Sequence, residues 1–420
     1  MVSPFGWDRA DGHERVAIAV TGELSSVLLV TPLWTRDGGI GTHVMASAEA
    51  LAQRGCDVHV LAARLDSDIR VAGVALHDSP RLLDTSASIH TRVGAALARI
   101  PAAVHLHQLH DPELVAHMQS KAPLVISAHG FTACTSGVHY FGPGEECTRQ
   151  HGPGCVPNLL ARGCAHTRDP RWFPAAYRRA TRGRDALRHC DMAISYSTAM
   201  DRHLAVNGVP ERSVIPLFPT LTPVEGSGHA ARRRVVFAGR VVQAKGVDVL
   251  LRAAGAVDAE LVICGDGWGL DSMRKLARKL AIAERVDFRG WREPRQLARE
   301  LAEASVVVVP SVWPEPFGLV GIEALACGRP VVASATGGIV DWLEHGVNGL
   351  SFAAGDSTAL AHALNELLDD PSRQAEMGAA GRQMVAERFS RERHASALQA
   401  AYRSASDTWR SRMGRSPAAA

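Results

Sequence analysis

The feature that most limits the folds open to this chain is the stretch 306–352. It begins with an unbroken run of valine, Val306 to Val309, and β-branched residues in such a run suit a strand buried on both faces of a parallel sheet. A turn follows through Pro310, Pro314, Pro316 and Gly318. The pattern then becomes helical from Leu319 to Cys327 and closes at Gly328, a residue that tolerates the left-handed conformation of many helix ends. Pro330 to Ala333 reads as a second buried strand. Strand, turn, helix and strand in this order predict a βαβ unit of an open α/β sheet, where ligands sit outside the carboxyl ends of the strands.

That rule puts Glu315, Phe317, Gly318 and Leu319 on the wall of a crevice. Free amides and the positive end of the helix dipole favour an anion there, and Gly318 lets the main chain approach closely. Glu315 and Glu323, with seven residues between them, are expected to face one pocket. A carboxylate accepts two hydroxyl hydrogen bonds at once, which matches a sugar or ribose diol. The same spacing also fits a Glu315 that merely favours the helix start and a Glu323 paired with a surface arginine.

Earlier in the chain, 27–34 and 57–61 read as strands around a helix that ends near Arg54, and Gly38 and Gly39 form the glycine-rich turn between them. Amides in such a turn meet a diphosphate readily. It is a poor dinucleotide motif, because Val44 stands where G-x-G-x-x-G needs its third glycine. Two more strands end in histidines, one at His107 and His110 and the other at His129. In the second half, Arg240 and Lys245 follow the strand 234–239. Five positions apart past a strand end, they can converge on one diphosphate, arginine as a planar fork and lysine as a point charge. Gly265 and Trp291 mark two further strand ends.

The segment EPFGLVGIEALACGRPVVAS from Glu315 to Ser334, continued by Gly337, Gly338 and Gly349, resembles the E-x7-E signature of the family 4 retaining glycosyltransferases. The resemblance implies an α/β chain of GT-B type, two Rossmann-like domains whose parallel sheets face each other across a cleft. It implies transfer of a hexosyl group from a nucleoside diphosphate sugar, UDP favoured, to a hydroxyl of a glycan, lipid or small natural product. Arg240, Lys245 and the amides near Gly318 would carry the leaving-group charge, a task for which no metal is required. Glu315 would hold sugar hydroxyls and Glu323 the ribose. His129 would reach the donor sugar near the reacting carbon, Gly38 and Gly39 would approach the phosphates and acceptor, and Gly265 and Trp291 would border the base. The expected division is an extension over 1–26, an acceptor-side domain over 27–218, a linker over 219–232, a donor domain over 233–385 and a helical tail over 386–420, loose after Ser406. Closure would hinge at the proline-rich linker. Two rivals are a GT-B epimerase or hydrolase of the nucleotide sugar and a non-catalytic partner of another transferase.

With 46 basic residues against 43 acidic, no overall field suggests a nucleic-acid binder. No apolar run reaches membrane-span length and no basic start precedes the short apolar run at 16–20, so a cytoplasmic protein is expected. The insertion 131–177 carries Cys134, Cys147, Cys155 and Cys164 without a C-x-x-C pair. These thiols are candidates for a structural zinc, for ordinary buried cysteines or for disulfides. From Arg162 to Arg188 arginines interleave with Trp172, Phe173 and Tyr177, which suits either a solvated helix face or a basic, aromatic face resting on a membrane or a phosphorylated acceptor.

Overall fold

The computed structural model describes residues 25–414, apart from 37, 67, 98–100, 137–145, 165–168, 170 and 225–232. Most of the amino-terminal extension, part of the cysteine insertion and the end of the linker therefore lie outside the described residues. The first half runs β1 (Ser26–Trp34), α1 (Gly39–Gln53), β2 (Asp57–Leu65), β3 (Val74–Asp78), α2 (Ile89–Val93), β4 (Ala103–His107), α3 (Pro112–Lys121), β5 (Leu124–Ser127), α4 (Cys155–Ala161), α5 (Trp172–His189), β6 (Met192–Ser195), α6 (Thr198–Val206) and β7 (Arg212–Val214). The second runs β8 (Arg234–Ala238), α7 (Val247–Ala253), β9 (Glu260–Cys264), α8 (Leu270–Lys279), β10 (Val286–Gly290), α9 (Pro294–Ala302), β11 (Val306–Val309), α10 (Leu319–Ala326), β12 (Val331–Ser334), β13 (Gly349–Phe352), α11 (Ser357–Leu368), α12 (Pro371–Arg388) and α13 (Arg391–Arg412).

Each half is a doubly wound sheet. The seven-stranded sheet has the order β3-β2-β1-β4-β5-β6-β7 and the six-stranded one β10-β9-β8-β11-β12-β13. Neighbouring strands within both sheets are parallel. Parallel pairing covers both faces with helices, which is why β8, β11 and β12 are buried at every position. Successive side chains then enter different cores. Val235, Phe237, Val306 and Val308 pack on one face of the second sheet, whereas Val236, Val307 and Val331 join a core continuous with that of the first domain. Strand order reverses between β1 and β4 and between β8 and β11, so each domain opens a crevice at the carboxyl ends of those strands.

Three features join the halves. Thr198 at the start of α6 donates through N and Oγ1 to the Asp341 carboxylate at 2.7 and 2.6 Å, a charge well placed for a helix N-terminus. Phe131 meets Trp313 edge-on at 6.4 Å. Helix α13 leaves the second domain and packs across the first. There Tyr402 is buried and bonds His105, Trp409 Nε1 donates to Gln119 O at 2.8 Å, and Arg412 pairs with Asp191 at 3.1 Å. The last two contacts hold the chain, so the tail expected to be loose after Ser406 is helix as far as Arg412, and 415–420 lie outside the described residues.

Candidate active site

In the second domain the loop after β8 is fastened to the turn after β11. Val312 N donates to Ala244 O at 3.0 Å. Gly246 adopts φ +66°, and a Cβ there would stand 1.9 Å from Pro310 O. This backbone contact brings Lys245 to the turn, where its Nζ lies 2.6 Å from Glu315 Oε1 and 5.7 Å from the Trp313 ring centroid. Ser311 Oγ donates to the same Oε1. Among the described residues both donors to the Glu315 carboxylate thus fall on one oxygen, and Oε2 has no partner. The Glu315 side chain is only 3% exposed, against 26% for Lys245. Its main chain is braced by Gly338, whose N donates to Glu315 O at 2.6 Å. Arg240 is exposed, and its guanidinium bonds nothing among the described residues. Gly246→Ala is expected to lower stability by more than about 3 kcal/mol, combining left-handed strain with a backbone clash; a urea midpoint within experimental error of wild type would refute the fastening role.

Gly318 caps α10 in the left-handed region at φ +88° with no side-chain hydrogen bond, so the helix N-terminus stays open to a ligand. Leu319 is half-buried beside it. Phe317 does not line the cleft with its ring. That ring packs on Phe389 at 5.7 Å, and only the main chain borders the turn, its carbonyl accepting from Trp342 Nε1 at 2.7 Å. Glu323 is buried, and its Oε1 accepts from Thr220 Oγ1 at 2.9 Å and Thr220 N at 3.3 Å. Burial pushes its carboxyl up to about 7, against the pull of those linker hydrogen bonds. The two glutamates therefore have different partners, Glu315 the Lys245 cation and Glu323 the interdomain linker. Glu315 precedes the helix, so helical spacing does not set its direction.

On the flank, Gly239 N donates to Cys264 O, Val241 N to Asp266 O and Gly265 N to Gly290 O, each at 2.8 or 2.9 Å. These bonds stack three strand-end loops backbone to backbone. Trp291 and Trp268 stand on this edge 53% and 75% exposed.

Across the cleft, α1 starts at Gly39 with Gly38 as its cap at φ +96°, again without a side-chain hydrogen bond. A Cβ at Gly38 or Gly39 would meet nothing within 4 Å, so this turn faces open space. Beside it lies a buried group of histidines. His129 Nε2 is 2.9 Å from His107 Nδ1 and 3.2 Å from the Tyr196 hydroxyl. His43 lies edge-on to Tyr196 and His394, and burial and mutual repulsion hold His43, His105, His107 and His129 well below the usual imidazole range. Burial lowers His110 to about 4. Between His107 and His110, Gln108 takes φ +58°, a strained value for a residue with a side chain and one that functional loops often carry.

In the insertion, Cys134, Cys147, Cys155 and Cys164 are free thiols. They gather closely enough that the other three, after burial, help push Cys164 up to about 11. Among the described residues no three His, Cys, Asp or Glu side chains are arranged to hold a metal ion. Nor do the basic residues and the aromatics of α5 share one outward face. Tyr177 packs on His151 at 4.6 Å and on Phe173 at 5.6 Å, while Arg178, Arg179 and Arg182 point outward. Helix α5 buries Ala176, Ala180 and Gly183, and that side takes the aromatics with it. Among the described residues no helix is long and apolar enough to cross a membrane.

Four residues escaped the sequence reading: Trp313, whose buried Nε1 finds no acceptor among the described residues, Trp268, Tyr196 and Thr220. Trp313 sits inside the motif turn, so its position was a signal. The other three carry none.

Residues 37–218 match the family described as Glycosyltransferase Family 4, and residues 227–384 match the one described as Glycosyl transferases group 1. The chain belongs to the family 4 glycosyltransferases. A D-inositol 3-phosphate glycosyltransferase of Stackebrandtia nassauensis is 39% identical over 200 residues, 42% of this chain and 45% of that protein. A protein of the same name from Xylanimonas cellulosilytica is 34% identical over 224 residues, 50% and 52% of the two chains. This chain thus spans about half the length of these curated relatives. Among solved structures, sucrose-phosphate synthase from Thermosynechococcus elongatus superposes with a TM-score of 0.70 at 21% identity, covering 90% of this chain and 98% of that one. Anabaena HepE, in complex with UDP, gives 0.67 at 19% over 90% and 100%. With the two parallel sheets, these likenesses establish the GT-B fold of the chain.

Proposed function

We propose that this glycosyltransferase moves a hexosyl group, with retention of anomeric configuration, from a UDP-sugar to a hydroxyl of a glycan, lipid or small natural product. The observation that carries the reading is the Glu315 carboxylate, anchored through Oε1 by Lys245 and Ser311 with Oε2 left open. An acceptor oxygen fixed in place beside a cation, an unpartnered Arg240 and an open helix N-terminus suits a sugar diphosphate. Oε2 would receive sugar hydroxyls, while Lys245, Arg240 and the first amides of α10 would stabilise the departing diphosphate. Such preorganised charge costs no rearrangement when the bond breaks. Glu323 would hold the ribose, Trp291 and Trp268 would flank the base near Gly265, and Gly38 and Gly39 would present open amides from the other domain. HepE, solved with UDP and with UDP-glucose, supports the choice of nucleotide. The relatives that act on D-inositol 3-phosphate support a polyol-type acceptor.

A thermal-melt series with UDP, GDP, ADP and TDP tests the donor. A nucleotide at a hundred times its Kd should stabilise the native state by about 2.7 kcal/mol. UDP is expected to raise the midpoint most, and Glu323→Ala and Lys245→Ala are each expected to abolish the rise. A panel in which no nucleotide raises it at millimolar concentration would remove the donor reading. Sugar transfer measured with and without acceptor then separates a transferase from an epimerase or hydrolase.

A further inference from the structure

The two places where the chain passes between its domains enclose a cavity of about 500 Å³, within the range of small-ligand pockets. One wall is the linker after β7, and the other is the turn from α12 into α13. Pro219, Leu221 and Pro223 of the linker face the cavity, whereas Thr220 between them reaches Glu323 instead. An extended chain imposes that alternation. Val385 and Phe389 of α12 complete an apolar floor, beside Ala326, which lies on α10 three positions past Glu323. The linker continues from 225 as EGSGHAAR, which has no large apolar side chain to fill such a floor.

The rim is positive. Arg382 and Arg391 are the ionisable side chains that line the cavity, and among the described residues no carboxylate does. Arg382 Nη2 donates to Cys327 O at 3.2 Å, which covers the negative end of α10 and leaves the rest of the guanidinium fork without a protein partner among the described residues. Arg391 pairs with Glu49 through Nη1 and lies over the Phe218 ring at 5.7 Å. Ser390 and Arg391 are also the cap and the first residue of α13, a helix of 22 residues, so its positive end opens at the same rim. The one acidic residue of that first turn, Glu392, is exposed and outside the lining.

We infer that this cavity is a second ligand site, for a free amphipathic anion whose apolar chain lies along Leu221 and Phe389 and whose carboxylate meets Arg382 and the start of α13. A planar carboxylate matches the guanidinium fork. Because both interdomain passages form the walls, an occupant holds them together, and by packing on Pro219 and Leu221 it keeps Thr220 on Glu323. Such a ligand inhibits donor binding from a distance. Only this coupling rests on the proposed ribose role of Glu323; the site itself does not.

Equilibrium dialysis of the full chain against decanoate, without nucleotide, tests the site. Saturable binding of one decanoate per chain is expected. Decanol has the apolar chain without the charge and should bind about tenfold more weakly, and Arg382→Gln should weaken decanoate by a similar factor. Ala386 lines the cavity from an exposed position outside the proposed donor site. Ala386→Trp should fill the space and abolish decanoate binding, while kcat measured without decanoate keeps its wild-type value. No saturable binding to wild type, as when 225–232 already fills the cavity, overturns the site, and so does equal affinity for decanol and decanoate; neither result needs a variant to fold. Binding that survives Ala386→Trp also overturns it. Decanoate should lower UDP affinity by about fivefold or more, and UDP should lower that of decanoate by the same factor, as linkage requires. Decanoate that binds and leaves UDP affinity unchanged overturns the inhibitory role. Absence of any UDP binding removes the donor reading and the coupling with it, while the dialysis result stands on its own.

Discussion

Lys245→Ala is expected to lower kcat for sugar transfer by about 100-fold or more, the usual scale for deleting one preorganised charge at a leaving group. It is also expected to destabilise the fold by about 2 to 3 kcal/mol. The buried Glu315 would keep only Ser311 as a side-chain donor, and breaking an ion pair from one side leaves an uncompensated charge. The figure sits at the low end for such pairs because Lys245 is 26% exposed and partly screened by water. Glu315→Gln alone should cost less stability, since Lys245 can turn to solvent. The double change should recover stability to within about 1 kcal/mol of wild type without recovering the rate. Urea denaturation and initial rates on the set of variants check both halves. Recovery of the rate in the double variant would mean that Lys245 serves only to neutralise Glu315.

The second large effect is a dependence on pH. Burial raises the Glu323 carboxyl from 4.5 to about 7 in the folded chain. Between those values the folded state binds more protons than the unfolded one, so stability falls as pH rises. The contribution is fully present below about pH 4.5 and is lost as pH passes 7. Across that window the loss is about 3 kcal/mol at 1.36 kcal/mol per unit. Glu323→Gln keeps an acceptor for Thr220 but cannot ionise, so the stability of wild type relative to this variant should fall across this range, and the variant should be the more stable of the two at about pH 8. Nucleotide affinity should move the opposite way in wild type, strengthening as Glu323 ionises, because the anion is the better acceptor for a ribose diol. Melts and nucleotide titrations from pH 5 to about 8 test both trends. A wild-type profile that parallels the glutamine variant would refute the assignment to Glu323.

Much of the architecture was legible because parallel strands need covering on both faces. The valine run 306–309 and the apolar 234–238 had no other stable use, and the turns after them carried the candidate donor-site residues. The approach of Lys245 to the Glu315 turn follows from the same logic, since β8 and β11 are neighbours and their carboxyl ends meet. The resemblance of the segment 315–334 to a known signature supplied the chemistry, which periodicity alone could not.

Other features arise from contacts between residues far apart in sequence, and no local pattern encodes those. Thr220 reaches Glu323 because the linker runs beside α10. Tyr402 reaches His105 because α13 crosses back onto the first domain, which also keeps helical, as far as Arg412, a stretch that reads as loose. Phe317 looks like a cleft residue in the motif, yet the return of α12 and Phe389 draws its ring inward. Arginine and aromatic side chains alternate along α5 in the sequence, but the neighbouring His151 claims Tyr177. The sequence by itself determined the two parallel sheets and the turns that carry the candidate site, because burial of apolar runs and backbone hydrogen bonding are local demands. Only the tertiary structure decided which carboxylate oxygen stays open and which glutamate faces the linker, because a buried polar group takes its state from the partners that packing brings within about 3 Å.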